Sequence, residues 1–272
     1  MGVFYEEIPP NIIDWALAQK IFWVSTAPLS KDGHVNISPK GGSPERTFGI
    51  SDPKTFWYID MTGSGNETIS HLLEPGNGRI TIRGPRIVRL FGKGRVLEYD
   101  TPEFNAMVER ENMTLPTGVR SVIVVDIHQV GSSCGYQVPF FNFVDYRYVL
   151  RDYFQKKAVR FERGNETESM DRYWALKNAW SVDGLPGMQR AMKAGKELAV
   201  EPMEKMVGRA NGNRDRARLE MSYLFIGFLL VLVAVLAATH PAVRSFQAGK
   251  HMTDIMAQVV SMPDGSRSSS AA

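Results

Sequence analysis

A single cysteine, Cys134, in a chain of 272 residues excludes an intrachain disulfide, a thiolate zinc site and a redox pair. Such sparing use suits a cytosol-facing domain. The five histidines are scattered without metal-ligand spacing of the HExxH kind, so no metal is expected. His128 lies near Cys134, but no third group orients the pair, and Cys134 reads as structural rather than nucleophilic. Net charge is small, +3 from 32 basic and 29 acidic residues, and no long basic run precedes residue 205. Nucleic acid is therefore not expected as a partner. The first ten residues carry Glu6 and Glu7 and no apolar run, unlike a secretory signal, and Glu6 stands where a myristoylation signal needs Ser or Thr. The N-x-T sequons at Asn66, Asn112 and Asn165 are coincidental in a cytosolic domain.

Hydrophobic residues at 43% and charged residues at 22% are globular values. One stretch departs from them. Residues 221–239, MSYLFIGFLLVLVAVLAAT, contain no charge, proline, Asn or Gln. At ~1.5 Å per residue such a helix approaches the thickness of a thin bilayer. The expectation is one transmembrane helix over 221–239, preceded by a basic juxtamembrane linker (207–220) with Arg209, Arg214, Arg216 and Arg218. The positive-inside bias then makes a single-pass membrane protein with its N-terminal domain in the cytosol, and 240–272 a tail that is disordered at its end.

Before that stretch the pattern is mostly β. Residues 21–27 and 34–38 flank Lys31-Asp32-Gly33 as a hairpin, and 47–50 and 55–60 flank Asp52-Pro53. Residues 79–82, 86–91, 95–99 and 120–128 read as further strands, with a turn at Gly92-Lys93-Gly94. Asn11 caps a short helix to Lys20, and Thr101-Pro102 starts another with Thr as N-cap. Beyond residue 144 the pattern is helical, over 145–161, 168–180 and 186–206. Short strands joined by tight turns indicate an antiparallel barrel rather than βαβ units.

Three constellations could carry chemistry. In 60–72, DMTGSGNETISHL, a strand runs into a loop rich in glycine and hydroxyls that opens a helix. Free backbone N–H groups, hydroxyls and glycines make an anion cradle, or Ser64, Asn66 or Thr68 simply caps the helix. In 34–42 a strand ends in Pro39-Lys40-Gly41, where Lys40 could neutralise a phosphate or be an ordinary solvated lysine. Arg86 and Arg89, three apart, point to opposite faces of a regular strand, so only one could face a given site.

FWVSTAPLSKDGHVNISPKG (22–41), FWYIDMTGSGNETISHL (56–72), NGRITI (77–82) and RIVRLFGKGRV (86–96) occur in this order. Together they resemble the flavin-binding split-barrel superfamily of pyridoxamine 5′-phosphate oxidase-like proteins. RSVIVVDIHQVGSSCGYQVP (120–139) and KNAWSVDGLPG (177–187) are similar to an uncharacterised fungal-type subgroup, and the resemblance covers about residues 1–190. It implies a mainly β fold with flanking helices: a six-stranded antiparallel split β-barrel (1–144), a helical extension packed on it (145–206), then the transmembrane helix. It also implies a homodimer with FMN at the subunit interface. Ser38 and Lys40 would lie beside the flavin, and Thr62, Ser64, Gly65, Asn66 and Thr68 would form the phosphate-holding loop. The reaction implied is two-electron transfer with a small-molecule substrate or nicotinamide, with no residue standing out as acid or base. Other readings are a non-catalytic flavin binder, a haem or deazaflavin protein, and a membrane-anchored interaction module. The chain departs from the family in three places: only Arg83-Gly84-Pro85 joins two strands that relatives separate by a longer insert, Ile87 stands where true oxidases of this family tend to have a flavin-contacting glutamine, and no Arg-rich C-terminal substrate segment is found. Vitamin B6 oxidation is therefore not expected.

Overall fold

The computed structural model describes residues 2–41, 46–84, 86–136, 138–205, 226–232 and 235. Two compact units, Met1–Met206 and Val207–Ala272, divide the chain.

In the first unit eight strands form one antiparallel sheet: β1 (Val3–Tyr5), β2 (Ile21–Thr26), β3 (Asn36–Gly41), β4 (Phe48–Asp52), β5 (Thr55–Met61), β6 (Arg79–Arg83), β7 (Val88–Glu98) and β8 (Val119–Ser132). Their order is β3-β2-β6-β7-β8-β5-β4, with β1 added to the far end of β8. The sheet curls on itself, because Phe22 on β2 lies 5.1 Å from Phe48 on β4 and 5.6 Å from Tyr58 on β5, ring centre to centre. Among the described residues no ladder joins β3 to β4, so the barrel stays open along that seam.

Residue pattern explains the layering. β2 alternates buried and open positions, as a strand with one covered face must. β5 and β8 are apolar on both faces because both are covered. Phe56, Tyr58, Ile123 and Val125 fill the barrel, while Trp57, Ile59, Val122 and Val124 pack against Phe104 and Met107 of α3 (Pro102–Arg110) outside it.

The expected turn at Gly92-Lys93-Gly94 does not exist: β7 runs straight through it as one strand, with a register shift at Phe91/Gly92. These glycines serve close packing. A Cβ on Gly92 would meet Val125 Cγ1 at 2.5 Å and the Asp126 carbonyl at 2.7 Å. The short connection after Arg83 does form a hairpin, with Arg83 paired to Arg89 and Gly84 N–H donating to Val88 O at 3.3 Å; Pro85 is outside the described residues. The six-strand expectation also omitted β1, which pairs with Val130–Ser132 of β8.

α1 (Pro10–Leu17) starts at Pro10 with no side-chain cap, so Asn11 is not its N-cap. At α3 the reading holds: Thr101 Oγ1 accepts the Phe104 N–H at 3.3 Å, with Pro102 first in the helix. α2 (Glu67–Leu73) follows the glycine-rich loop. The helical extension is α4 (Val149–Glu162), α5 (Met170–Asn178) and α6 (Gln189–Glu197), each shorter than the apolar pattern suggested.

The expected transmembrane helix is overturned, and the single-pass membrane location with it. Among the described residues no helix is long and apolar enough to cross a membrane. Of the 221–239 stretch, residues 226–232 and 235 are helical and exposed. The rest of that stretch, the linker 207–220 and the tail 240–272 lie outside the described residues.

Candidate functional site

On β3, alternation sends Asn36, Ser38 and Lys40 to the inner face of the curled sheet, opposite Thr26, Val24 and Phe22 of β2. Lys40 Nζ donates to Asp60 Oδ1 on β5 at 2.8 Å, which ties the two halves of the open seam together. Asp60 has no solvent exposure, and its second oxygen accepts Arg120 Nε of β8 at 2.8 Å. Burial alone would raise the Asp60 carboxyl, but the charges and hydrogen bonds of Arg120 and Lys40 outweigh it and hold the group at about 2. Burial and the Asp60 charge together push the neighbouring Tyr58 phenol well up, and among the described residues its hydroxyl has no partner.

Arg120 continues the chain of contacts, donating from its terminal nitrogen to Gly65 O at 2.6 Å. The inner face of β3 is thus joined to the glycine-rich loop along Lys40, Asp60, Arg120 and Gly65. A second link is direct: Asn36 Nδ2 donates to Thr68 Oγ1 at 2.9 Å, and Ser38 Oγ donates to Asn36 Oδ1 at 3.1 Å.

The loop is held by the extension. Trp174 Nε1 of α5 donates to Thr62 Oγ1 at 2.9 Å, and Asn178 Nδ2 donates to Gly63 O at 2.9 Å. Asn66 occupies the N-cap position of α2, but its amide bonds Ser70 Oγ (3.0 Å) instead of capping the helix. The anion position there belongs to Glu67, whose carboxylate accepts the N–H groups of Asn66 (2.9 Å) and Val182 (3.2 Å) and lies 3.8 Å from Lys205 Nζ. Burial is the main reason the Lys205 amine is pulled down.

All seven residues expected at the site therefore fall in one connected region, in different situations. Thr62, Asn66 and Thr68 are buried and bonded to protein groups; Ser64 and Gly65 are exposed at the loop tip; Ser38 and Lys40 are half-buried. A Cβ placed on Gly63 would meet nothing within 4 Å, so the space before the tip is open.

Four groups escaped the sequence reading. Asp60 interrupts the apolar run TFWYIDM and Arg120 opens the buried run VRSVIVV; a charge inside such runs demands a partner, and that was the available signal. Trp174 and Asp183 act from more than a hundred residues away, with no local trace. Asp183 receives both the backbone N–H of His34 (2.8 Å) and its ring Nδ1 (2.5 Å). The hydrogen bond to Asp183, followed by its charge, raises the His34 pKa. His34 Nε2 has no protein partner among the described residues, which makes this pair an oriented acid–base group that no spacing announced. His71, by contrast, is fully buried, bonds Thr26 Oγ1 at 2.9 Å and is pulled down chiefly by burial.

Two cavities among the described residues do not compete with this region. A groove of ≈ 700 Å³ beside α6 is lined by Glu98, Asp171, Arg190 and Lys193, whose charges mostly serve each other or the α6 N-terminus; the other, ≈ 30 Å³, is an apolar gap beneath Trp15. Among the described residues no group of His, Cys, Asp and Glu could hold a metal ion.

The pyridoxamine 5′-phosphate oxidase family protein ustO of Aspergillus flavus is 39% identical over 207 residues, covering 71% of this chain and 80% of that protein. The chain belongs to the pyridoxamine 5′-phosphate oxidase family. No family model matches it. Among solved structures, HupZ of Group A Streptococcus matches at TM-score 0.33 and 18% identity, over 45% of this chain and 92% of that one. An FAD binding protein of Mycobacterium smegmatis matches at TM-score 0.30 and 13% identity, over 47% and 96%.

Proposed function

We propose that this chain is an FMN-dependent oxidoreductase that works as a homodimer on a small-molecule substrate or a reduced nicotinamide. The observation that carries the reading is the polar path from Ser38 and Lys40 through Asp60 and Arg120 to the tip of the glycine-rich loop, in a member of this family.

The donor set fits a phosphorylated cofactor, with the roles divided. Among the described residues the Lys40 ammonium donates to Asp60 alone, which leaves two of its three protons, and its side chain is 22% exposed. Ser64 Oγ and the open backbone face at Gly63 add neutral donors. Thr62, Asn66 and Thr68 shape the loop from behind. Because Glu67 fills the α2 N-terminus, a phosphate would be met by the loop tip and Lys40, not by the helix end. Bound flavin would supply two-electron chemistry. The chain would position it, and His34 Nε2, oriented by Asp183, would exchange one proton at the rim.

Exposed apolar surface supports the homodimer. Tyr136, Phe140, Phe141 and Val144 are 93%, 104%, 76% and 92% exposed, a density that marks an interaction surface.

Titrating FMN into the full chain while following flavin fluorescence tests the binding. Saturable quenching that weakens in Lys40→Ala and Ser64→Ala is expected; no quenching by the wild type refutes the reading. Adding reduced nicotinamide to the loaded protein then separates enzyme from carrier: oxidation above the free-FMN rate supports catalysis, and a rate equal to free FMN leaves a binding protein.

A further inference from the structure

The outer face of the sheet carries a row that the inner site does not use. Registers place Pro39, Trp23, Arg83, Arg89, Gly131 and Phe4 side by side across six adjoining strands. Their neighbours Val24, Ile82, Leu90 and Val130 point the other way, into the core, so this row faces outward.

Two arginines directly opposed across an antiparallel pair repel, and a sheet tolerates that when something answers the charge. Four residues along the same two strands Arg79 opposes Lys93, and there the charges are answered. Arg79 donates to Asn77 Oδ1 (3.3 Å) and Pro28 O (3.4 Å), and Lys93 donates to Asn77 O (2.8 Å). Asp126 stands next to Lys93 on β8. Beside Arg89, β8 offers only Gly131. Among the described residues neither Arg83 nor Arg89 has a carboxylate, a carbonyl or a stacking ring, although Arg46, Arg151 and Arg190 each lie over one. Arg83 Nε is buried with no hydrogen-bond partner among the described residues. Arg86, exposed at the hairpin, adds a third positive charge.

We propose that Arg83 and Arg89 form an oxyanion site, and that its ligand is a phosphate or carboxylate carried on a flat ring. Two guanidinium forks on adjacent strands match the paired oxygens of such a group. Trp23, half-buried on one flank of the pair, and Phe4, 65% exposed on the other, bring aromatic side chains to the ring of such a ligand. Gly131 lets the aromatic wall close up beside Arg89: the Phe4 ring lies 3.1 Å and the Phe91 ring 3.5 Å from where a Cβ would stand. The site lies on the opposite face of the sheet from Ser38 and Lys40, and does not depend on the flavin reading.

The test uses the full chain with phenyl phosphate, inorganic phosphate, and sodium chloride at matched ionic strength, read by calorimetry and thermal unfolding. Saturable binding of phenyl phosphate, weaker binding of phosphate and none of chloride are expected. Arg83→Met and Arg89→Met keep the aliphatic stem, stay folded with an unfolding temperature no lower than wild type, and bind phenyl phosphate about tenfold or more weakly. Trp23→Leu removes the preference for the ring but not the phosphate binding. FMN that displaces phenyl phosphate identifies the oxyanion as a cofactor's; FMN that does not identifies it as a substrate's. No saturable binding by the wild type, or equal affinity in both arginine variants, overturns the proposal.

Discussion

Replacing Asp60 with Asn tests the path that joins the two halves of the candidate site. The amide keeps the size of the carboxylate but leaves Arg120, 5% exposed, without a counter-charge in the barrel wall. Breaking a buried pair from one side costs ~3–5 kcal/mol, because the orphaned charge stays desolvated. For a unit of this size the loss lowers the unfolding temperature by about 6–20 °C. Lys40→Met should cost far less, about 1 kcal/mol, since Lys40 is 22% exposed and Asp60 keeps Arg120. An acid limb provides a second reading. The Asp60 carboxyl lies at about 2 when folded against an ordinary 3.8. Its contribution, about 2 kcal/mol, is present above the ordinary value and lost as pH falls through the folded one. Urea unfolding of wild type and Asp60→Asn between pH 2 and pH 7, on the order of a dozen points, measures both effects. A variant within about 1 kcal/mol of wild type, with the same acid limb, would refute the reasoning.

Three further outcomes follow from single contacts. Trp174→Phe removes the donor to Thr62 from a buried pair and should cost about 1–3 kcal/mol in denaturant unfolding, with faster proteolysis at the Gly63–Gly65 tip; unchanged proteolysis would mean that α5 does not hold the loop. Gly92→Ala drives a Cβ against Val125 and the Asp126 carbonyl and should destabilise by about 1–3 kcal/mol, whereas a glycine needed only for a turn would tolerate alanine far better. The His34–Asp183 pair should stabilise fully below the ordinary histidine value of 6.5 and lose its effect as pH rises through the raised folded value. Ring NMR of His34 should show the upward shift in wild type and its loss in Asp183→Asn; an ordinary titration in both contradicts the pairing.

Local chemistry was readable from sequence, and long-range closure was not. Thr101-Pro102 caps α3 as its residue types require, and the alternation in IFWVST identifies β2. Gly92-Lys93-Gly94 misled because glycines that open a turn and glycines that let a strand lie against its neighbour have the same letters; only the contacts with Val125 and Leu72 distinguish them. β1 was missed because VFY is short and exposed at every position, leaving no alternation to detect. Lys40 and the 62–68 loop were chosen for their own chemistry, but what connects them is Asp60 with Arg120, from strands 60 residues apart in the chain. The apolar stretch at 221–239 met the length criterion on composition alone, and among the described residues no helix is long and apolar enough to cross a membrane.

The visible absorbance spectrum of the full chain, purified with FMN present and passed through a desalting column, tests the central claim most directly. The account predicts flavin bands that travel with the protein and fade in Lys40→Ala and Ser64→Ala. A folded, colourless protein that releases all added FMN would contradict it.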